Sequence, residues 1–230
     1  MPTLDWLKKE FDYGYDSGNV LGLVPNKTRR SEEKRIGGSY RQVFKRAILP
    51  FLKPDSIVLE LGPGNGAWSR AILKHIPQGR LITVDYQDVT RWLDPAQYGG
   101  RLIPHQVTDN SFSCIEDASI DFFWSMGVLC HNNQTHIREI LAGALPKMKA
   151  GAYGCHQYAN WDKLDRYGWR RGGVPTEFRN QKDDDIWWPR NTQHDMVSLS
   201  LDTGWSVIKP DLGLLRRDSI IQLRRTAKHN

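Results

Sequence analysis

The sequence predicts an α/β fold with a doubly wound, mostly parallel sheet, and three observations support this prediction. Short apolar runs alternate with helical patterns between about residues 57 and 158. Several of these runs end in polar or acidic residues. The first run continues into a turn with glycines at alternate positions and then into a helical pattern. This alternation is typical of parallel strands joined by crossover helices. Ligands of such sheets bind beyond the carboxyl ends of the strands, so polar residues there predict a binding site.

Length and composition limit the class of protein. A chain of 230 residues fits one domain, or one domain with insertions. We predict an N-terminal helical extension over 1–52 and a main domain over 53–230. Within the extension, the turn-rich aromatic segment 13–19 would lie over the site as a lid or pack on the core edge. No apolar run approaches the roughly 20 residues of a membrane span, and the N-terminus lacks the basic and apolar regions of a signal peptide. We therefore expect a cytoplasmic protein without membrane contact. Three widely spaced cysteines form no C-x-x-C pair, and no compact cluster predicts a metal site.

The elements before the first strand are less regular. The charged stretch 27–34 is expected to be solvated. Ser39 has the position of a helix N-cap, and apolar residues from Tyr40 to Ile48 fall on one helical face up to Pro50. This helix is predicted to pack on the sheet.

The glycine turn that follows the first strand is the most informative stretch. The strand is predicted over 57–61 and the next helix over about 66–76. The glycine spacing is G-x-G-x-G, with Ala67 where a dinucleotide site has its third glycine. A P-loop needs Lys and Ser or Thr after its last glycine, and neither is present. Glu60 would repel phosphate, but its carboxylate would pair with a cationic amino group. These features favour an adenosine ligand that carries an amino acid. The alternative is a glycine-rich turn without a ligand.

The stretch resembles motif I (E-x-G-x-G-x-G) of the class I S-adenosylmethionine (SAM)-dependent methyltransferases. The resemblance implies a Rossmann-like, seven-stranded sheet with an antiparallel last strand. The strands over 205–208 and 219–223 would form its final hairpin. The cofactor would be SAM, and the product S-adenosylhomocysteine. Cofactor contacts would come from the turn, namely Glu60, Gly62, Pro63, Gly64, Asn65 and Gly66. An NAD-dependent dehydrogenase is disfavoured by the glycine spacing.

Further cofactor residues are predicted at the ends of the next strands. Asp85 ends the second strand, and a carboxylate there can accept hydrogen bonds from both ribose hydroxyls. The alternative for Asp85 is a helix cap. Tyr86 would flank the adenine. Asp109 and Asn110 follow the third strand, where the family resemblance implies contacts to the adenine. The resemblance also places Ser125, at the end of strand four, beside the transferable methyl group.

The acceptor site is predicted from histidines and tryptophans. His131, just beyond strand four, is the candidate general base, because a histidine accepts protons near neutral pH. His156 ends strand five. The insertion 160–193 is too long for a plain connector and is rich in aromatic residues. It would select the acceptor as a lid, or simply pack on the sheet edge. The predicted substrate contacts are His156, Trp161, Trp187 and Trp188.

The predicted reaction is methylation of a small-molecule acceptor, most simply a hydroxyl of a sugar or natural product. N-methylation of a small amine, an RNA methyltransferase and a SAM-binding fold without catalysis remain alternatives. Nucleic acid is disfavoured as the acceptor because residues 125–128 are Ser-Met-Gly-Val, whereas nucleic-acid amino-methylases of this superfamily often have [DNS]-P-P-[YF] there. The net charge of +6 permits an anionic partner without requiring one. We expect a monomer or a homodimer, and the acceptor itself is left open.

Overall fold

A computed structural model describes Lys9 and residues 14–226. The strands of this part of the chain are β1 (Ile57–Leu61), β2 (Arg80–Asp85), β3 (Leu102–Gln106), β4 (Ile120–Ser125), β5 (Met148–Tyr158), β6 (Ser206–Lys209) and β7 (Ser219–Arg224). They form one sheet in the order β3-β2-β1-β4-β5-β7-β6. Strands β1 to β5 are parallel, whereas β7 runs antiparallel to both β5 and β6. The predicted fold class, including the antiparallel final strand, is confirmed.

The α-helices of the described residues are α1 (Lys27–Ile36), α2 (Tyr40–Val43), α3 (Ala67–Leu73), α4 (Gln134–Ala144), α5 (Trp161–Tyr167), α6 (Trp169–Gly172) and α7 (Gln193–Asp202). Helix α2 continues as a π-helical segment, Phe44–Ile48. Short 3₁₀ turns, such as Leu129–His131, connect several of these elements. No helix among the described residues is both long and apolar enough to cross a membrane.

The sheet is covered on both faces, as its apolar strands require. Successive side chains of a strand point to opposite faces. In β4, Phe122 and Trp124 pack on one face with residues of α2 and α3, whereas Phe123 packs on the other with residues of α4 and α7. Because β1 to β5 are parallel, their carboxyl ends lie together at one edge of the sheet.

The charged stretch 27–34 is largely exposed, as expected, but it forms helix α1 and buries Arg29, which the sequence did not predict. The Asn26 side chain accepts from the Arg29 backbone N–H and caps the helix, which ends at Gly37 in a left-handed conformation. Arg29 is only 3% exposed and donates to Glu33 at 2.7 Å and to two backbone carbonyls. The helix is stabilised by these polar contacts. Apolar periodicity therefore did not reveal it.

The insertion 160–193 folds into α5, α6 and two short 3₁₀ turns. Its apolar residues, including Leu164, Trp169, Phe178 and Ile186, form a cluster with Cys130 and Ala159 of the neighbouring strand ends. The insertion thus packs against the sheet edge beside the carboxyl ends of β4 and β5. The proposed division at residue 52 stays a prediction.

Candidate active site

A cavity lies at the carboxyl ends of β1, β2, β3 and β4. The residues around it include Gly62 and Gly64 of the glycine turn, Asp85 after β2, and Asp109 and Phe112 after β3. Parallel strands bring these segments together although they are distant in the sequence. The cavity lies where the sequence predicts the adenosyl cofactor, and we call it the cofactor cavity.

Two glycines of the turn are packed closely by neighbouring residues. Gly62 has φ +68° and Gly64 has φ +52°, conformations that side chains rarely adopt. A Cβ on Gly62 would lie 2.3 Å from Val128 Cγ2, and one on Gly64 would lie 2.5 Å from the Tyr15 carbonyl oxygen. Glycine is therefore required at both positions by conformation and by space. Pro63 and both glycines line the cavity.

Asn65 and Gly66 lie at the far side of the same turn. The Asn65 N–H donates to the Tyr15 carbonyl at 2.8 Å, and Gly66 precedes α3 in a left-handed conformation. Both residues hold the turn in place. Their predicted direct contacts with the cofactor stay predictions.

Glu60 is buried beneath the turn, with 1% of its surface exposed. Its carboxylate accepts a hydrogen bond from the Ser69 hydroxyl of α3. Burial raises the pKa of Glu60 from 4.5 to about 7, against the opposing effects of Ser69 and Arg70. The carboxylate thus couples the end of β1 to α3, and its pairing with a cationic amino group stays a prediction.

Asp85 lies at the cavity wall and carries a perturbed carboxylate. One oxygen accepts from the Gln87 backbone N–H at 2.8 Å. Burial raises the pKa of Asp85 from 3.8 to about 6, although backbone hydrogen bonds from Gln87 and Tyr86 oppose this. A half-buried carboxylate with further lone pairs suits the adjacent hydroxyls of a ribose.

The predicted adenine end is built from two loops. The Tyr86 hydroxyl donates to Asn110 at 2.7 Å, which joins the loops after β2 and β3. Asp109 is exposed and accepts from the Ser111 N–H at 2.8 Å, which lowers the pKa of this carboxyl. Phe112 is buried against the same cavity. The loops offer an aromatic wall and a carboxylate acceptor, which match an adenine ring and its amino group.

Residues 14–18 cross the glycine turn, and we call this segment the strap. The Tyr15 carbonyl accepts from Asn65, and the Trp68 indole donates to the Ser17 hydroxyl at 3.0 Å. Gly14, Tyr15 and Ser17 line the cofactor cavity. Sequence reasoning noted the turn-rich aromatic character of this segment but assigned no residue of it to the site.

A second cavity adjoins the first, with Tyr15, Met126, Gly127 and His131 lining both. We call it the acceptor cavity. Its other lining residues mix aromatic and charged groups: Glu32, Arg35, Ile36, Tyr40, Cys130, Gln157, Gly173, Trp187, Trp188 and Arg217. Two cavities that share a wall suit a reaction in which a group passes from one bound molecule to another.

His131 lies at the junction of the cavities, and its ring is oriented by the insertion. Its Nδ1 lies 2.7 Å from the Trp187 carbonyl oxygen. A carbonyl only accepts, so Nδ1 carries the proton and Nε2 is the unprotonated nitrogen of the neutral ring. Burial lowers the pKa of His131 from 6.5 to about 4; the Trp187 carbonyl opposes this, and Arg217 adds to it. The imidazole is therefore neutral at physiological pH.

Trp187 and Trp188 both contact His131. The ring centroids lie 5.9 and 5.1 Å from the imidazole, the latter in an edge-to-face arrangement. Both tryptophans line the acceptor cavity, where the sequence predicts substrate contacts.

Ser125, His156 and Trp161 lie elsewhere. Ser125 and His156 are each 0% exposed, and the Ser125 hydroxyl lies 3.0 Å from His156 Nδ1. Burial lowers the pKa of His156 to about 3, so this pair is a neutral core contact between β4 and β5. Trp161 packs edge-to-face on Trp169 in the insertion, under Arg190. None of the three lines either cavity, so these placements do not support their predicted contacts with cofactor or substrate.

A buried network missed in the sequence supports the acceptor cavity. The Arg217 guanidinium donates to Asp218 through Nε and Nη2, and to the Gly172 carbonyl through Nη1. Asp218 also accepts from Gln157 at 2.6 Å, and Gln157 accepts from the Gly127 N–H at 2.8 Å. The network therefore joins β5, β7 and the insertion to the exit of β4. A lone Arg-Asp pair in a chain of ordinary charge content gave no signal for it.

Within residues 9 and 14–226, no group of three or more His, Cys, Asp or Glu side chains is placed to hold a metal ion. The groups that line the first cavity are carboxylates, backbone groups and aromatic rings. Such groups match an adenosyl amino acid.

No protein-family model matches the sequence, and no curated protein matches it. Solved structures share the fold. A SAM-dependent methyltransferase from Aquifex aeolicus aligns with a TM-score of 0.63 and 15% identity, over 92% of this chain and 100% of that one. A putative sarcosine dimethylglycine methyltransferase from Galdieria sulphuraria aligns with a TM-score of 0.59 and 12% identity, over 97% and 98%.

A third structure contains ligands. It is the Burkholderia thailandensis 1,6-didemethyltoxoflavin-N1-methyltransferase with bound 1,6-didemethyltoxoflavin and S-adenosylhomocysteine. It aligns with a TM-score of 0.53 and 13% identity, over 75% of this chain and 72% of that one. The chain therefore has the Rossmann-like fold of the class I SAM-dependent methyltransferases. Identities this low establish the shared fold and leave the activity to be argued from the site.

Proposed function

We propose that the protein is a SAM-dependent methyltransferase that acts on a small-molecule acceptor. The observation that carries the proposal is the pair of adjoining cavities at the carboxyl ends of the parallel strands. One has a glycine turn and a half-buried carboxylate, Asp85, and the other has a neutral imidazole, His131, at the shared wall. The fold shared with SAM-dependent methyltransferases supports the same assignment.

Residues around the first cavity would hold S-adenosylmethionine. Gly62 and Gly64 line the cavity and would contact the amino-acid portion, while Glu60 supports the turn from beneath through Ser69. Asp85 accepts from the ribose hydroxyls, and Asp109 accepts from the adenine amino group. When bound, the cofactor supplies a methyl group on a positively charged sulfur, which takes the electron pair of the broken C–S bond.

The chain's own contribution is alignment, exclusion of water and removal of a proton. Residues of the strap and the tryptophans of the insertion line the cavities beside their shared wall, which favours binding of the acceptor in one orientation. For a hydroxyl acceptor, His131 Nε2 takes the proton as the oxygen–carbon bond forms. We therefore favour O-methylation. An amine that arrives neutral would need no such base.

Two measurements test the proposal. S-adenosylhomocysteine should raise the melting temperature of the folded protein and bind at micromolar to millimolar concentrations. Isotope-labelled methyl transfer from SAM to a library of small hydroxyl and amine compounds should then give products with the expected mass increase. A folded protein that does not respond to millimolar S-adenosylhomocysteine would refute the cofactor assignment, and binding without transfer across acceptors would favour a non-catalytic SAM-binding protein.

A further inference from the structure

Positive charge is concentrated at the mouth of the acceptor cavity. Arg35, in the last turn of α1, lines the cavity, and its side chain is 49% exposed. Its aliphatic part and Nε lie against Gly173: a Cβ built on that glycine would be 2.9 Å from Arg35 Cδ and 3.0 Å from Nε. The glycine thus leaves room for the guanidinium group at the cavity mouth.

Two further cationic residues, Arg171 and Arg216, pack against Tyr167, whose hydroxyl bonds to the backbone of α1. The Tyr167 hydroxyl donates to the Lys34 carbonyl at 2.8 Å, and Arg171 lies over the Tyr167 ring at 4.4 Å. Arg216 approaches the same ring at Gly37, where a built Cβ would lie 2.7 Å from Arg216 Cβ and 2.8 Å from the ring. Lys34, Arg171 and Arg216 are all exposed. Arg171 and Arg216 therefore pack beside the helix that carries Arg35, and we call Arg35, Arg171 and Arg216 the basic rim.

One carboxylate of the cavity lining, Glu32, forms an ion pair with Arg35 and offsets part of the positive charge. Among the described residues that line the acceptor cavity, Glu32 is the one carboxylate; it lies 3.3 Å from Arg35 and accepts from the Tyr15 hydroxyl. Asp218 is fully buried and its carboxylate pairs with Arg217. Like charges held together cost free energy unless an opposite charge binds. The rim therefore favours an anion at the cavity mouth.

The shape of the cavity favours a small anion over a polymer. Its inner wall is aromatic, with Tyr15, Trp187 and Trp188, and it ends at His131 where it meets the cofactor cavity. A guanidinium binds carboxylate or phosphate oxygens through two parallel hydrogen bonds. One end of a bound molecule would therefore meet Arg35, and the other would reach the shared wall.

We propose that the methyl acceptor is a small molecule with an anionic group, a carboxylate or a phosphate monoester, which binds Arg35 while the methylated atom lies at His131. This inference rests on the proposed function and specifies its substrate class. It narrows the acceptors from neutral sugars and phenols to anionic hydroxy compounds.

The test measures binding of matched probes to the full chain loaded with S-adenosylhomocysteine. Benzoate and phenyl phosphate serve as anionic probes, and benzamide serves as the neutral isostere of benzoate. We expect at least one anion to bind about tenfold more tightly than benzamide, with affinity falling as salt is added. The comparison of benzoate with phenyl phosphate distinguishes a carboxylate from a phosphate acceptor.

Variants locate the anion site. Arg35→Gln should weaken anion binding about tenfold, and Arg35→Lys should retain part of it because the charge remains without the planar fork. Arg30→Gln is the matched control: Arg30 is an exposed cation on the same helix that donates to the Pro25 carbonyl. Glu32→Gln should tighten anion binding, since it removes the competing carboxylate; a variant that merely damaged the fold would not do this.

Each outcome decides the proposal. Equal binding of benzoate and benzamide, no binding of either anion at millimolar concentration, or equal losses in Arg35→Gln and Arg30→Gln would overturn it. Preferential, steeply salt-dependent binding of a single-stranded RNA oligonucleotide would also overturn it in favour of a nucleic-acid acceptor. If wild type binds S-adenosylhomocysteine but not the anions, only this inference fails. If it does not bind S-adenosylhomocysteine, the proposed function fails.

Discussion

Replacing Glu60 with glutamine should change the pH dependence of stability in a defined direction. Glu60 is buried beneath the glycine turn, and its pKa is raised from 4.5 to about 7. A carboxyl with a raised pKa in the folded state binds its proton more tightly there than in the unfolded state. Its contribution to stability is therefore present below pH 4.5 and is lost as pH rises from about 4.5 to about 7.

The size of this effect follows from the two pKa values. A rise from 4.5 to about 7 corresponds to about 3 kcal/mol, at about 1.4 kcal/mol for each tenfold change in proton affinity. Glutamine keeps the shape and can still accept from Ser69, but it does not ionise. The difference in unfolding free energy between Glu60→Gln and wild type should therefore increase by about 3 kcal/mol, in favour of the variant, as pH rises from about 4.5 to about 8.

Urea denaturation at several pH values measures this difference directly. Other titrating groups, including Asp85, are common to both proteins and cancel in the comparison. Glu116→Gln serves as the control because Glu116 is exposed. If wild type and Glu60→Gln keep a constant stability difference across this pH range, the carboxylate is not held in the unfavourable environment that we infer.

Other variants test the two cavities and the turn. Asp85→Asn should weaken S-adenosylhomocysteine binding by on the order of 1.5–3 kcal/mol. The wild-type affinity should also fall as pH drops through about 6, because the ionised carboxylate is the better acceptor. If calorimetry shows the same affinity in the variant and at low pH, the ribose assignment is refuted. His131→Ala should lower turnover while S-adenosylhomocysteine affinity stays unchanged, and unaltered turnover would exclude His131 as the base. Gly62→Ala should lower the unfolding free energy by roughly 1–3 kcal/mol. Gly213→Ala should lower it less, because Gly213 has the same φ of +68° but no heavy atom within 4 Å of its built Cβ. Equal losses in the two variants would mean that the contact with Val128 is unimportant.

The N-terminal strap was the main functional element that sequence reasoning did not assign. Tyr15 and Ser17 reach the site through a backbone carbonyl and a hydroxyl that bond to Asn65 and Trp68. Such contacts leave no periodic pattern, because a main-chain carbonyl is present at every residue. The turn-rich aromatic composition indicated a covering segment, but not the position that it covers.

Local chemistry was sufficient for the sheet and for one end of the site. Apolar runs, the glycine turn and the acid that ends β2 each have a local physical cause, so the alternation of strands and helices and the position of Asp85 at a strand end followed from the chain itself. The contrast between the histidines was decided by packing. His131 follows β4 and His156 lies within β5 near its end, yet the first lies at a cavity junction and the second is fully buried.

The acceptor side was decided only by the tertiary structure. Arg35, Arg171 and Arg216 belong to three segments whose charges look solvated in the sequence. They converge because Tyr167 and the glycines at 37 and 173 allow close packing. Electrostatic potential depends on distances between charges, and the sequence contains these distances only through the fold.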